Sequence, residues 1–501
     1  MRNKNSSEHP RKVKIGGIEQ KVCMAKIRNF AEIAPNLPFT EYDFYEEYRG
    51  AFEKTELGRM KKILPLHEMA ESFSLVSKRM APKRGRRSYF TPKGKVALMF
   101  LKMKTQMSFP KLMEALNGNV FYQMFCDIVI DPAHPLTNYK LLDDIALELA
   151  GKLKIQELQN RLAEAWKPYM KDLDTMFTDA TCYESDMRYP TDQKLLWECI
   201  EKAYKLMCEE SKRLGIHRPR TKFLDVEKAN LTYRKQRKHT KGQTRSITRR
   251  LLDLLGKILK EMRTMEREHP DAKLMTVRER ETMNVITMVY RQQNNHFRSG
   301  DARESIPNRI VSVNKPYVRP IVRGKEVKNV EFGAKCNNIL VDGISFIEKL
   351  SFNAFNEGTR LAHCIKMHKR LFGVDVKKIG GDTSYAGNAN RELCTANGIH
   401  TSFVQKGKKA KEKREKDFVR EDLARQRATT MEGSFGTQKE HYSMRRIKAR
   451  MKMTEILYIF FGIHTANAVL LAERLMEQQQ AGREALPVPA VPAPSHLPQT
   501  G

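Results

Sequence analysis

Apolar positions recur at helical spacing through most of the first 165 residues. "KVALMFLKMKTQ" is the densest case, and Thr91-Pro92 before it supplies an N-cap and a first-turn proline. "SFPKLMEALNGNVFYQMFCDI", residues 108–128, reads as helix, Asn-Gly-Asn turn, helix. The pattern is compatible with a helix-turn-helix whose second helix enters a major groove, and also with an ordinary helical hairpin. At 171–192 the character changes: "LDTMFTDAT" predicts a strand ending at Asp179, and "YPTD" predicts a turn and a helix cap. From Gln193 to about Asn308 the period is helical and very polar, which predicts a helical insertion without a large core of its own. Alternation returns at 310–345 in "RIVSVNKPYVRPIVRGK" and "VEFGAKCNNILVDG". A helix is expected at about 354–371, then a short strand ending in Gly-Gly-Asp, a short helix closed by Asn-Gly, and the strand "IHTSFVQKG". A charged run at 406–416 leads to a long helix expected from about Thr430. The longest apolar run, "ILYIFFGIHTANAVLLA" at 456–472, is shorter than a membrane span of about 20 residues and contains His464 and Asn467. It reads as a buried helix.

With the polar helical block set aside, the order from 171 onward is three strands, then helix–strand–helix–strand–helix. Such mixed order predicts an α/β fold, a central sheet covered by helices. Strands ending at Asp179 and Asp382 can lie side by side in such a sheet, which brings two carboxylates to one edge.

Charge sharpens this picture. Lys and Arg number 91 against 59 Asp and Glu, a formal net charge of +32. An excess of that size argues for a polyanionic partner, nucleic acid first and a membrane surface as the weaker alternative. The basic loop "APKRGRRSYFTPKGK" offers Arg84, Arg86 and Arg87 to phosphates, though it reads equally as a solvated loop. The run at 406–416 has the same two readings. The basic N-terminus is followed by no apolar stretch, so no secretory signal is expected. The eight cysteines are scattered with no CxxC pair, the pattern of reduced cytosolic thiols without a zinc site. The closing "LPQTG" looks like a sorting signal without the expected flanking segments, and is taken as chance or an added tag.

A third carboxylate is expected from the last helix. "TTMEGSFGTQKEHYSMRRIKAR" offers Glu432, with Lys439 and Arg446 following at steps of seven, two helical turns each. Gly433 and Gly436 allow close approach of a backbone or substrate. Glu184, Asp186 and Asp192 read as solvated or capping groups, and His363 and His368, five apart on a helix, as structural.

"DAT…YPTD", "KPYVRPIVRGKEVKNVEFGAK", "GGDTSYAGNANRE" and "MEGSFGTQKEHYSMRRIKAR", in that order, together resemble the DDE transposases of bacterial insertion sequences. The resemblance spans roughly 90–470 and implies an RNase H-like catalytic domain. It divides the chain into a helical, DNA-binding N-terminal domain (1–165), the first part of the catalytic domain (166–192), a basic helical insertion (193–308), the second part (309–475) and a disordered Pro-rich tail (476–501). It implies an acidic triad of Asp179, Asp382 and Glu432 holding two Mg²⁺ (or Mn²⁺) ions, with Asp179 bridging them, for in-line displacement at phosphodiesters. Lys439 carries over as a phosphate contact, and Arg446, Arg427, Arg84, Arg86 and Arg87 are the further DNA-binding expectations. One departure stands out: many relatives carry an Arg four residues before the Glu, where this chain has Ala428, with Arg425 and Arg427 nearby. The implied partners are duplex DNA, both the element's terminal inverted repeats and target DNA. A dimer or larger assembly on DNA, a bacterial cytoplasmic, nucleoid-associated location and no membrane complete the expectation. The alternatives are a nuclease of the same fold that never joins strands, and a transposase-derived DNA-binding regulator.

Overall fold

The computed structural model describes residues 48–75, 88–272, 275–300, 305–322, 330–404 and 413–484 (backbone alone at 413–416 and 479–484), with the backbone of three short strands between 11 and 28. Arg84, Arg86 and Arg87, most of the 406–416 run and the tail from 485 lie outside the described residues.

The N-terminal part is not helical throughout. β1 (Arg11–Ile15) and β2 (Ile18–Val22) form an antiparallel hairpin, and β3 (Ile27–Arg28) pairs with β4 (Val129–Ile130). The rest is helical: α1 (Glu56–Ile63), α2 (Leu66–Ser72), α3 (Pro92–Thr105), α4 (Phe109–Gly118), α5 (Val120–Phe125), α6 (Lys140–Gly151) and α7 (Ile155–Trp166). Thr91 caps α3 as the sequence predicts, its side chain accepting from the Gly94 amide. The helix-turn-helix reading does not survive. Only Asn119 separates α4 from α5, and α5 has six residues, of which Gln123, Met124 and Phe125 are buried. A groove-reading pair has a turn of three to four residues and an exposed second helix.

The sheet starts with β5 (Thr175–Ser185) and continues, after the polar helices, with β6 (Pro320–Val322), β7 (Val330–Val341), β8 (Ile344–Ser351), β9 (Lys378–Gly381), β10 (His400–Thr401) and β11 (Arg446–Ile447). Its path runs β10-β9-β5-β7-β6, with β8 added to β7 and β11 to β5. This is a mixed sheet: β5 is antiparallel to β7 and parallel to β9 and β11. Two expectations need correction. Asp179 does not end a strand, because β7 pairs with β5 from Met176 to Glu184 and carries it on to Ser185. Residues 310–319 form no strand, since Pro316 and Pro320 lack the amide a ladder needs. The β7–β8 hairpin turns at Asp342-Gly343, both with positive φ (48° and 78°), the turn that Asp-Gly favours.

The polar block folds into α8 (Asp192–Leu214), α9 (Phe223–Lys235), α10 (Lys241–Glu268) and α11 (Val277–Ser299). Contrary to its polar composition, it has an apolar cluster of its own, with Trp197, Ile200, Leu255, Ile258 and Ile286 at its centre. The amphipathic stripe is narrow but continuous along three long helices, and that suffices. A second cluster joins the N-terminal helices, the sheet, α12 (Leu361–Phe372) and the last helix.

After α13 (Asn388–Ala396) and β10 comes α14 (Lys413–Gln426), a π-helical turn at Arg427–Met431, and α15 (Glu432–His441). The long helix expected from Thr430 is therefore two helices. One ends at His441, and α16 (Lys452–Glu484) begins eleven residues later. The long apolar run lies in α16, which is long and apolar enough to cross a membrane, yet 78% of its apolar window is buried inside the structure. It packs against α1, α3, α6 and β8.

Candidate active site

Side chains alternate across a strand, so Phe177, Asp179, Thr181 and Tyr183 of β5 share one face. The α14–α15 unit covers that face. Phe177 and Leu340 pack with Leu423, Met431 and Phe435 at its apolar end. Next along the strand, Arg427 Nη1 meets Asp179 Oδ2 at 3.0 Å. Lys439 Nζ donates to Thr181 Oγ1 at 2.8 Å, and the Tyr183 hydroxyl donates to Gln438 Oε1.

β9 runs parallel to the first part of β5, with Phe177 opposite Gly380 and Thr178 opposite Gly381. Asp382 follows directly on the last paired residue of β9, close enough to Asp179 for the two carboxylates to repel one another. Asp382 keeps extended backbone (φ −74°, ψ 173°) and caps the turn Thr383–Tyr385. β9 stops there, and β11 joins the same edge of β5 only at Glu184. Among the described residues, Asp179 to Tyr183 thus have no ladder partner on that side, and the carboxylates sit in the gap.

Two glycines make the approach of β9 feasible. A β-carbon at Gly380 would lie 2.3 Å from the Phe177 ring, and one at Gly358 would lie 2.2 Å from the Ser384 carbonyl oxygen. The second contact lets the turn Glu357–Arg360 pack on Thr383–Tyr385, which brings a further acid, Glu357, toward the pair. Glu357 is held by Lys335 at 2.5 Å. Sequence reasoning missed both residues. "FNEGTR" carries no chemical signature, and only the stacking of two short turns reveals the proximity.

Burial pushes the Asp179 carboxyl above the usual carboxylate range, against the Ala180 amide and Arg427, which favour its ionised form; Asp382 and Glu357 push it further up. Crowded, half-desolvated carboxylates of this kind are characteristic of sites where a cation or a proton is handled. Beneath them lies a buried polar network. The Tyr385 hydroxyl donates to Asn337 Oδ1, Asn337 Nδ2 donates to Glu348, and Arg360 grips Glu348 through both Nε and Nη2.

Glu432 opens α15, exposed, between the two cations that reach the strand. Asp179 and Asp382 are brought together, but among the described residues no three acidic, His or Cys side chains converge as a ligand set. Arg446 is not on the face of Glu432 and Lys439, because the helix ends at His441. It lies in β11, paired with Asp186 at 2.7 Å and donating to the Met187 carbonyl. The π turn accounts for the departure at Ala428. One turn of π-helix spans five residues in place of four, so Arg427 lies one turn before Glu432.

Two family models match the chain. Residues 46–142 match a transposase domain (DUF772), and residues 380–464 match a transposase DDE domain. The chain belongs to the DDE transposases of insertion sequences. No curated protein and no solved structure matches it. The DDE match begins at Gly380 and takes in Asp382, Glu432 and Lys439 of this transposase, while Asp179 lies outside it. The other match covers α1 to α5 and the start of α6. DDE transposase domains work with divalent metal ions.

Proposed function

We propose that this transposase cleaves phosphodiester bonds at the ends of its element and transfers the freed 3′-OH ends to target duplex DNA, using Asp179, Asp382 and Glu432. The observation carrying the reading is that β9 pairs with β5 as far as Thr178–Gly381, so that Asp179 and Asp382 each follow the last pair at a gap in the sheet edge. The mixed sheet, with its helical unit entering between β5 and β6, supports the RNase H-like reading of the catalytic domain (166–192 and 309–475). The acid pair fits a divalent ion: two hard oxygen donors lie close, Asp382 adds to the rise in the proton affinity of Asp179, and a bound cation relieves that repulsion. Asp179 and Asp382 would hold Mg²⁺ or Mn²⁺, with Glu432 delivered from α15. When bound, the metal supplies activation of the attacking oxygen and stabilisation of the leaving one.

The chain's own residues orient the DNA. Lys439, anchored over Thr181, places a cation beside the gap for a phosphate next to the scissile bond. Arg427 favours the ionised form of Asp179 against desolvation. Activity belongs to the cytoplasm, on the nucleoid, with inverted repeats as the bound ends and at least a dimer to pair them.

Asp382→Asn is expected to abolish cleavage of end-bearing duplex in Mg²⁺ while duplex binding in chelator stays within about twofold. A variant that still nicks removes Asp382 from the chemistry. Pre-cleaved ends distinguish the nuclease alternative, since that enzyme would cut but join nothing.

A further inference from the structure

Eight Lys and Arg residues occur between 231 and 250 with no acid among them: Arg234, Lys235, Arg237, Lys238, Lys241, Arg245, Arg249 and Arg250. All eight are exposed, and none is joined to a carboxylate among the described residues. They cluster where α9 ends and α10 begins. The remainder of α10, from 251 to 268, carries four acids and four bases, so positive charge is segregated to one end of the helical unit.

This end is ordered. Arg245 and Arg249 lie 5.0 and 5.9 Å from the Phe297 ring centre. The Tyr233 ring stacks on His239 at 3.9 Å, and the Tyr233 and Thr244 hydroxyls are 3.1 Å apart, which fixes the link between the helices. Thr240 and Gln243 form a capping box, so the positive end of the α10 dipole points out at the same place. A solvated charged face needs none of these braces. Long cations held in place are what a row of phosphates rewards, since less side-chain entropy is lost on contact.

The patch also sits at the right end of the unit. Gln193 Nε2 donates to Thr248 Oγ1 at 3.0 Å, tying α10 to the start of α8. The chain enters α8 from β5, and from Asp179 to Ser185 that strand covers about 20 Å. We propose that the basic end of α9–α10 binds the phosphate backbone of the duplex being processed, on the order of one helical turn from the bond at Asp179. This rests on the transposase reading and names a second, non-catalytic DNA contact.

The test uses the full chain and a fluorescent duplex of about 40 base pairs of arbitrary sequence, in chelator, with KCl varied over roughly 50–200 mM. Each phosphate contact contributes about 0.9 to the slope of log K against log salt. Replacing Arg237, Lys238, Arg245 and Arg249 by Gln is expected to flatten that slope by about 3 to 4 and weaken binding at least tenfold at the low-salt end. Melting must match the parent within about 2 °C; if the Gln variant melts lower, Arg245→Lys with Arg249→Lys, which keeps the charge, should restore the slope. An unchanged slope in a folded variant overturns the proposal, as does loss of binding only to vesicles containing about 30% phosphatidylserine. If the parent chain itself binds no duplex, the transposase reading fails instead.

Discussion

At the residue scale, positions 179, 380 and 382 are tied together by contact rather than by sequence. Gly380 leaves room for the Phe177 ring, and Asp382, the residue after β9, stays beside β5 only while β9 lies that close. Gly380→Ala is expected to cost about 1–3 kcal/mol in chemical denaturation and to lower cleavage more than binding. Combined with Phe177→Leu, part of the loss should return; a neutral Gly380→Ala would show that β9 has slack. Asp179 carries a second expectation. Its carboxyl is raised by burial, so the native state holds that proton more tightly than the unfolded chain does. Stability attributable to this group therefore falls as pH climbs from the unfolded value through the native one. In chelator, Asp179→Asn should melt above the parent at neutral pH and with it below about pH 4. Equal melting at neutral pH contradicts the desolvated site. Asp179, Asp382 and Glu432 were legible as acids next to motif residues. Glu357 and Lys335 were not, because nothing local in a sequence encodes which turns will stack.

At the element scale, legibility followed periodicity. The Thr91 and Thr191 caps and the buried character of 456–472 were all readable. The π turn was not. It inserts one residue without changing composition, and shifts Arg427 into a place the spacing gave to Ala428. The break after His441 was hidden because "HYSMRRIKAR" keeps helix-forming residues, while Ser443 adopts φ of 58°, which no helix tolerates. The segment at 310–319 was read as a strand and is a strap instead, fastened to α16 by Lys315 and Glu455. That pair is 3.1 Å apart and buried on both sides (7% and 1% exposed), with the Tyr317 hydroxyl donating to Glu455 as well. Lys315→Met leaves a buried carboxylate unpaired and should cost about 3–5 kcal/mol in denaturant unfolding. Lys315→Met with Glu455→Leu should recover most of that, and no recovery would mean the pair does more than satisfy itself.

At the scale of the whole molecule, the N-terminal helices α1–α7 and the last helix, α16, belong to the same apolar cluster. Phe100 of α3 packs edge-on against Phe461 of α16, and Phe73 stacks on the same ring. Composition argued for a polyanionic partner through its +32 charge, but gave no sign that the N-terminal helices close over the sheet. Long-range packing of that kind has no signature in local spacing. A chain ended at residue 450 is accordingly expected to lose cooperative melting of the N-terminal helices by circular dichroism, and a sharp transition there would make them autonomous.

β5 is hydrogen-bonded to β7 along nearly its whole length and to β9 as far as Thr178, so its backbone is clamped on one flank at Asp179 and on both just before it. The opposite wall is a helix interrupted by a π turn, held to the strand by long cationic side chains. In the proposed reading, a rearrangement that delivers Glu432 would be made by that helix, with the aspartates as the stationary jaw of a vice.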